Sequence, residues 1–347
     1  MRLLFFICSL LFLFLSPNVE AKIVFASEHE GTIGIYVMED DGSDIILLTD
    51  TLSPTFPRWS PDGKQVVFQR QIAPEETQHD HIFLMNSDST NIQQLTSPPK
   101  NGRDSHPSFT PDGASIMFKR YERIDDKENR HSILRMNLAR GTVKKIAEHG
   151  TNNPEVSPDG KNIVFTGIPA AGGSGGNVMM INDAGRNLRP LIPPPQNSGL
   201  IISRWGPRWS PDGKQILYME SRNKLDKIDG VIYYIPQRYY YYIYDLRSGV
   251  SRRLDLPKDF RSTGIDWMDN GKAILLAADY VKLNTHVWVE PDYNFYKFKL
   301  KSKELTQLTD HLRVYASIDW IDDQVLSVAP QDKKKVNWGT IKSQTTD

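Results

Sequence analysis

The chain has 347 residues, of which 39% are apolar and 24% are charged, a composition typical of globular proteins and not of disordered ones. Its 42 Lys and Arg residues are balanced by 42 Asp and Glu residues, so the formal net charge is 0. Because no general excess of positive charge is present, we do not expect a nucleic-acid-binding protein.

The first 21 residues are predicted to be an export signal. An unbroken apolar run occupies residues 3–15 and is shorter than the roughly 20 residues that span a membrane. Small residues ending at Ala21 follow, which predicts a cleaved signal peptide over residues 1–21 and a periplasmic or secreted protein without a membrane span. The single cysteine, Cys8, lies in this segment, so the mature chain is expected to contain no disulfide.

A repeated motif organises the rest of the chain. Its fullest copy, residues 57–68, reads Pro-Arg-Trp-Ser-Pro-Asp-Gly-Lys followed by an apolar segment. The copies begin at Pro57, Pro107, Pro154, Pro207, Ile265 and Ile318, the last two being degenerate. Ser-Pro-Asp-Gly is a tight-turn sequence, because proline fixes φ at one central position and glycine adopts the positive φ that closes the turn. Each copy therefore predicts two short antiparallel strands joined by a turn.

Two further strands are predicted after each pair. Apolar segments such as residues 82–85 supply the third strand, and segments such as residues 94–96 supply the fourth. Four short strands in a repeat of about fifty residues are the signature of a propeller blade. The predicted fold is all-β: a six-bladed β-propeller of four-stranded antiparallel blades over residues 22–330, with a polar tail over residues 331–347.

The predicted ring closes through strands near the two chain ends. Residues 22–25 match the second strand of a blade, and the missing first strand is found near residues 316–320. Sharing one blade in this way leaves no open sheet edge. Residues 324–328 then form one strand too many, either a fifth outer strand or the start of a seventh blade, so seven blades is the alternative.

The repeats resemble those of the TolB-type β-propeller family, whose hallmark is Pro-x-Trp-Ser-Pro-Asp-Gly-Lys with a later Ile-Tyr-x-Met-Asp-x-Asp-Gly and Leu-Thr. The resemblance covers residues 22–330 and is strongest at residues 57–68 and 207–218. It implies a binding platform, a propeller of the kind attached to serine peptidases, or a polysaccharide lyase. TolB carries an α/β domain before its propeller, whereas the repeats here follow the apolar segment directly, so the resemblance is to the propeller part only.

One position of the innermost strands carries charge around the predicted ring. From blade to blade it is occupied by Arg58, Ser108, Glu155, Arg208, Asp266 and Asp319. Neighbouring blades thus place Arg208 between Glu155 and Asp266, and Asp319 beside Arg58 across the closure. Buried charges persist when they are partnered, so we expect a ring of inter-blade ion pairs, with a carboxylate-lined ion site as the alternative.

The loops that enter the innermost strands meet at one mouth of the channel, where ligands usually bind. The binding candidates there are Asp104, His106, Asn153, Arg204, Trp205, Thr263 and Tyr315. His79 and His81 also invite a metal site together with His106, but a metal needs three or four converging ligands, and the spacing places no other histidine or carboxylate to help. No metal site and no cofactor is therefore predicted.

Insertions enlarge the fifth and sixth blades. Residues 221–238 lie between the second and third strands of the fifth blade, and residues 280–293 form a similar insertion in the sixth. Tyr242 and Tyr244 are predicted to pack in the core, since buried strands accommodate aromatic rings well. The candidates for an exposed aromatic patch, suited to a partner or a sugar ring, are Tyr233, Tyr234 and Trp288.

These features predict an exported, non-enzymatic β-propeller that binds a protein or carbohydrate ligand through loops at one channel mouth. We expect a monomer, and a TolB-like role in the cell envelope is left open by the resemblance. The alternative is a propeller enzyme, a lyase or hydrolase, that acts on a polysaccharide with a divalent metal. No residue is assigned a catalytic role.

Overall fold

The computed structural model describes residues 23–29, 31–50, 53–72, 80–125, 128–148, 150–167, 175–193, 199–228, 230–285, 292–310 and 312–322. In these ranges the chain forms β-strands, turns and a single 3₁₀ turn at Asp269–Gly271. No helix in the described ranges is long and apolar enough to cross a membrane. The predicted signal peptide, the extra strand at residues 324–328 and the polar tail lie outside them.

The strands follow one another with short connections. In chain order they are β1 (Ile23–His29), β2 (Thr32–Met38), β3 (Ile46–Thr49), β4 (Thr55–Trp59), β5 (Gln65–Gln71), β6 (Asp80–Asn86), β7 (Gln93–Gln94), β8 (Gly102–Phe109), β9 (Ser115–Arg123), β10 (Asn129–Asn137), β11 (Val143–Glu148), β12 (Gly150–Val156), β13 (Asn162–Gly167), β14 (Asn177–Asn182), β15 (Arg189–Pro190), β16 (Ile201–Trp209), β17 (Gln215–Ile228), β18 (Val231–Asp245), β19 (Val250–Arg253), β20 (Phe260–Met268), β21 (Ala273–Tyr280), β22 (Asn294–Lys299), β23 (Leu305–Gln307) and β24 (Arg313–Trp320).

Six four-stranded antiparallel sheets form the six blades, as the repeat predicts. Blades 2 to 6 are the consecutive sets β4–β7, β8–β11, β12–β15, β16–β19 and β20–β23, whereas blade 1 has the order β24-β1-β2-β3. In blade 1, Ile23 pairs with Trp320 and Phe25 pairs with Ile318. The ring is therefore closed between an N-terminal and a C-terminal strand, and the described chain has six blades, not seven.

Apolar clusters fill the gaps between neighbouring blades, which explains the continuous apolar runs of the sequence. In β5, Val66 and Phe68 pack into the cluster shared with blade 1, whereas Val67 packs into the cluster shared with blade 3. Both faces of each blade are thus buried, so successive side chains are apolar on either side of the strand. Between blades 6 and 1, the rings of Phe25 and Phe295 meet edge to face at 4.8 Å.

The Ser-Pro-Asp-Gly turns are held by the side chains that the repeat conserves from blade to blade. Ser60 Oγ donates to Asp62 Oδ1 at 2.7 Å and accepts from Gln65 N at 2.9 Å, and Gly63 has a φ of +68°. The hydroxyl of Ser60 is the largest cause of the lowered pKa of Asp62. The degenerate turn of blade 6 instead forms the 3₁₀ turn noted above.

The insertion in blade 5 lengthens two strands instead of forming a loop. Strands β17 and β18 run 14 and 15 residues and stay paired as far as Ile228 and Val231. We call the outer part of this hairpin, residues 223–236, the arm. Since β17 starts at the Pro-Asp-Gly turn, the arm extends from the opposite face of the ring, where the innermost strands begin. Asn284 N donates to Pro236 O at 2.9 Å and ties the arm to blade 6.

The tyrosines that follow the arm alternate between two environments. Tyr241 is fully buried and its hydroxyl donates to Phe260 O at 2.8 Å. Tyr242 and Tyr244, which were expected in the core, are half-buried and pack at the edge of the cluster between blades 4 and 5. On β18, the tyrosine directed towards blade 6 is thus more deeply buried than the two directed towards blade 4.

Candidate binding surface at one channel mouth

Bulges interrupt the innermost strands just before the conserved proline position. The pairing shifts between Thr55 and Arg58 in blade 2, and at the equivalent places in blades 3, 4 and 5. The residues at these bulges have positive φ, and they are Phe56 (+53°), His106 (+54°), Asn153 (+53°) and Gly206 (+63°). Left-handed backbone costs a non-glycine residue about 1–2 kcal/mol, and such strain is concentrated at functional sites.

The bulges bring side chains from several blades to the channel. A crevice of about 10 Å³ there has room for roughly one water molecule. Its lining includes Phe56, Arg58, His106, Asn153, Glu155 and Arg208. The rings of Phe56 and His106 lie 3.8 Å apart. Phe56 was not among the sequence candidates, although it occupies the same place in the repeat as His106 and Asn153.

Below the bulges, charged residues of four blades meet around Arg208. Arg208 Nη2 lies 2.8 Å from Asp266 Oδ1 and 2.6 Å from Asp319 Oδ1, while its Nε lies 3.8 Å from Glu155 Oε2. Arg58 Nη1 lies 3.0 Å from the same Asp319 Oδ1. We call these five residues the charged ring. Asp319 thus contacts both guanidinium groups, one of them from a blade that is not its neighbour.

Backbone amides complete the hydrogen bonding of the carboxylates in the charged ring. Each carboxylate accepts from the amide of a tryptophan in the next blade: Glu155 from Trp209 (3.1 Å), Asp266 from Trp320 (2.8 Å) and Asp319 from Trp59 (2.8 Å). In blade 3, where the equivalent residue is Ser108, the hydroxyl donates to Pro154 O at 2.6 Å. The inner strands are therefore joined by side-chain bonds as well as by apolar packing.

Three carboxylates and two guanidinium groups are buried together in the charged ring, and burial is the main cause of the raised pKa values of the carboxylates. Burial raises the pKa of Asp266 to about 7, although Arg208 opposes the shift. Burial, followed by repulsion from Asp266, raises the pKa of Glu155 well above its ordinary value. Burial also raises the pKa of Asp319. The charged ring therefore binds a proton more readily than separate carboxylates would.

Several of the predicted mouth residues are occupied by contacts within the protein. Asp104 is fully buried, and its two carboxylate oxygens each accept from Arg120 at 2.7 Å. Arg204 donates to Glu220 at 2.9 Å and to Pro193 O at 2.7 Å. Each of these two side chains is paired with an oppositely charged residue of the adjacent strand. They therefore stabilise the blade and are not free to bind a ligand.

The remaining mouth candidates differ in their surroundings. Trp205 packs against the apolar cluster between blades 5 and 6. Thr263 is half-buried, and its Oγ1 is buried without a hydrogen-bond partner. Tyr315 belongs to β24, and its side chain lies outside the described part of the structure. Of the predicted set, His106 and Asn153 line the crevice at the bulges.

Of the histidines considered for a metal site, the described ones, His81 and His106, lie in different blades and different surroundings. His81 is buried, and its Nδ1 lies 2.8 Å from Thr96 O and 3.0 Å from Gln94 Nε2. Burial, with the charges of Lys119 and Arg103, lowers the pKa of His106 to about 3, so this ring is neutral. His79 lies outside the described residues. Among the residues that are described, no three His, Cys, Asp or Glu side chains are grouped to hold a metal ion.

The arm carries exposed apolar side chains at its tip. Tyr233 and Tyr234 of the predicted aromatic patch lie there, and Trp288 is outside the described residues. Exposed fractions are 44% for Leu225, 54% for Val231, 62% for Ile232, 36% for Tyr233 and 60% for Tyr234. Because Leu225 pairs with Tyr234 across the hairpin, and Ile232 is two residues from Tyr234, these three share one face. We call Leu225, Ile232 and Tyr234 the arm face.

A six-bladed ring with a charged channel and short Pro-Asp-Gly turns is a β-propeller of the TolB type. Residues 54–232 match the TolB beta propeller domain, and the chain belongs to that family. The uncharacterised protein Atu1656 of Agrobacterium fabrum is 27% identical over 212 residues, which cover 59% of this chain and 68% of that protein.

Solved structures with this architecture share the fold at low sequence identity. TolB from Acinetobacter baumannii has a TM-score of 0.62 and is 18% identical, and the match covers 87% of this chain and 67% of TolB. An oligogalacturonate lyase in complex with manganese has a TM-score of 0.56 and is 15% identical, with 84% of this chain and 74% of the lyase covered. A fold shared by TolB and a lyase does not define the activity of this chain.

Proposed function

We propose that this protein is an exported, non-enzymatic binding platform that holds a protein partner on the arm face and the adjoining channel mouth. The observation that carries the proposal is the exposure of the arm face, with Ile232 and Tyr234 each at 60% or more. Contiguous apolar surface is uncommon on monomers unless it binds something. The arm also extends from the same face of the ring as the bulges that line the channel mouth.

The chemistry of the arm face favours a protein over a carbohydrate. Two of its three side chains, Leu225 and Ile232, are aliphatic, whereas sugar rings stack on flat aromatic surfaces. A tyrosine set among aliphatic side chains is typical of the core of a protein interface. The arm is also preorganised, because β16 pairs with it up to Asn223 and blade 6 contacts Pro236, which lowers the entropy that binding has to overcome.

Export and an envelope location are proposed from residues 1–21 and from the likeness to TolB. The expected result is a mature chain that starts near Lys22, found in the periplasmic or secreted fraction. N-terminal sequencing of the protein from fractionated cells tests this. An intact N-terminus in the cytoplasmic fraction would contradict it.

The binding proposal is tested by capturing a partner and then measuring its affinity. Immobilised wild-type protein is exposed to envelope extract, and the dominant captured species is identified, purified and titrated. The double variant Ile232→Ser/Tyr234→Ser should bind this partner at least about tenfold more weakly. Its melting temperature should be unchanged, since exposed substitutions alter stability within about 0.5 kcal/mol.

The matched control is Val250→Ser. Val250 is 61% exposed in β19 of the same blade, at the end of the blade away from the arm, and its replacement should leave the affinity unchanged. Equal binding by the arm variant and the wild type would refute the proposal, as would the absence of any saturable partner.

The alternative is an enzyme that acts on a polysaccharide, and it draws on fold likeness to the manganese-bound lyase alone. A lyase would form unsaturated products that absorb ultraviolet light when the protein is incubated with acidic polysaccharides and Mn²⁺, and a hydrolase would release new reducing ends without this absorbance. We expect neither product. The appearance of either product, with its loss in the presence of a chelator, would favour the enzyme and overturn the non-enzymatic platform.

A further inference from the structure

We propose that a second site lies between blades 3 and 4 beside the channel mouth, where Lys119, Arg103 and Asn152 bind a single oxyanion, a carboxylate or a phosphate group. The arm belongs to blade 5, so this site is separate from the arm face, whose exposure carries the proposed function. The inference therefore goes beyond the proposed function.

The register of blade 3 places the two cationic side chains on one face of the sheet. Arg103 of β8 pairs with Tyr121 of β9, and Ser105 pairs with Lys119. Partners across an antiparallel pair lie on the same face, so Arg103 and Lys119 are diagonal neighbours. Met117, two residues before Lys119, packs into the cluster shared with blade 4, so this face is directed towards blade 4.

Blade 4 supplies a polar partner at the same place. Lys119 Nζ donates to Asn152 Oδ1 of β12 at 3.3 Å. The Arg103 guanidinium lies over the ring of Tyr121, 5.0 Å from its centroid, which leaves its N–H edge available. An ammonium, a guanidinium edge and a side-chain amide thus surround the gap between the two blades.

Among the described residues, the gap between blades 3 and 4 contains no counter-ion for these two cations. Lys119 is only 8% exposed, as buried as Arg58 and Arg208 at 7% each. Those two arginines have carboxylates at 3.0 Å or less, whereas in the described part of the chain no carboxylate lies within ion-pair distance of Lys119 or Arg103. A buried charge without a partner is strongly destabilising. An external anion is the missing partner.

His106 adds a further polar group beside this pair. Its Nδ1 is buried without a hydrogen-bond partner, and the charges of Lys119 and Arg103 both act on the ring. A neutral imidazole donates through one nitrogen only. A tautomer that is protonated at Nδ1 would give an arriving oxyanion a donor that no described protein atom uses.

The site is tested by nuclear magnetic resonance, with the His106 ring as the reporter. Inorganic phosphate and sodium acetate are titrated separately into labelled protein at neutral pH, with sodium chloride holding the ionic strength constant. Each oxyanion should produce a saturable shift of the His106 ring resonance, which is assigned with His106→Asn. The relative affinities of the two probes show whether phosphate or carboxylate is preferred.

Variants assign the binding to the two cations. Lys119→Met should weaken the better probe by about tenfold or more, and Arg103→Gln by a smaller factor, because a charge-assisted contact is lost in each case. Lys144→Met, which removes an exposed lysine from the same blade, should leave the affinity unchanged. The proposal fails if neither probe gives a saturable shift in the wild type, or if Lys119→Met binds as tightly as Lys144→Met.

Discussion

The buried charge of Lys119 lowers the stability of the fold and at the same time supplies the proposed oxyanion site. Burial, with a smaller contribution from the charge of Arg103, lowers the pKa of Lys119 from 10.5 to about 8. At neutral pH the side chain is still protonated, so its burial destabilises the folded state. Because the unfolded chain holds this proton more tightly, the free energy of unfolding should rise between pH 8 and 10.5.

Lys119→Met should therefore stabilise the protein at neutral pH while removing oxyanion binding. Methionine keeps an unbranched side chain but carries no charge, so the free energy of unfolding is expected to increase by roughly 1–3 kcal/mol. Thermal and urea unfolding measure the change, with Lys144→Met as the control that should differ little from the wild type. A lowered melting temperature would mean that the ammonium is satisfied within the fold, which would argue against a missing counter-ion.

Individual residues were predictable only where the repeat gave their position. The charged position of the innermost strands could be read from one copy to the next, and the structure brings Arg208 to within 2.8 Å of Asp266. Asp104 was predicted at the mouth, yet its partner Arg120 lies in the adjacent strand, a pairing that depends on register. Lys119 was missed because it ends an apolar run and because the equivalent residues of the other copies, Gln69, Thr166 and Met219, carry no charge.

At the scale of the element, the hairpin turns depend on a hydroxyl that serves two bonds at once. Replacing Ser60 with alanine removes its bonds to Asp62 and Gln65 N, leaving a backbone donor without its acceptor. The expected loss is about 1 kcal/mol of stability, measured by urea unfolding. Ser60→Thr is the matched control, since Thr110 makes the same bonds to Asp112 and Ser115 N in blade 3.

The same substitution should change the response to acid. Because the hydroxyl of Ser60 lowers the pKa of Asp62 from 3.8, the turn contributes stability above that pH and loses it as the pH falls below it. Ser60→Ala should therefore narrow the difference in stability between neutral and acidic solution. Equal acid sensitivity in Ser60→Ala and Ser60→Thr would show that the turn does not depend on this bond.

The arm marks where prediction of elements from sequence stops. An insertion at residues 221–238 was visible, but its form as an extended hairpin depends on cross-strand pairing from Asn223 to Ile228. The sequence also shows that alternate tyrosines lie on opposite faces of the strand. It does not show which face buries them more deeply, because both faces of a blade are covered. Tyr241, on the face towards blade 6, is fully buried, whereas Tyr242, on the face towards blade 4, is half-buried.

At the scale of the whole molecule, the fold was predictable because it repeats. Blades 2 to 5 each carry the full Pro-Asp-Gly turn, so the degenerate copies are recognised by comparison with these four, and the unmatched strand at each end of the chain implies closure. The structure confirms six blades and the pairing of β1 with β24. How the blades act on one another at the channel was not predictable, because Arg208 also reaches Asp319, two blades away.

The charged ring should make the stability of the entire propeller depend on pH and on Arg208. Since the folded pKa values of Asp266 and Glu155 are raised, their contribution is largest in acid and is lost as the pH rises through about 7. Between pH 6.5 and 8, His106 and Lys119 contribute little to the pH dependence of stability. The pKa of His106 falls from 6.5 to about 3 on folding and that of Lys119 from 10.5 to about 8, so both ranges lie outside this window. The wild-type melting temperature should therefore fall across it.

Two variants separate the ring's ion pairs from its surplus charge. Glu155→Gln removes one negative charge and should flatten the fall in melting temperature between pH 6.5 and 8. Arg208→Met leaves Arg58 alone among three carboxylates and should destabilise the protein by about 3–5 kcal/mol, with a broader calorimetric transition as the blades lose a common contact. If Arg208→Met melts like the wild type, or Glu155→Gln keeps the full pH dependence, the ring does not couple the blades, and apolar packing alone holds the propeller closed.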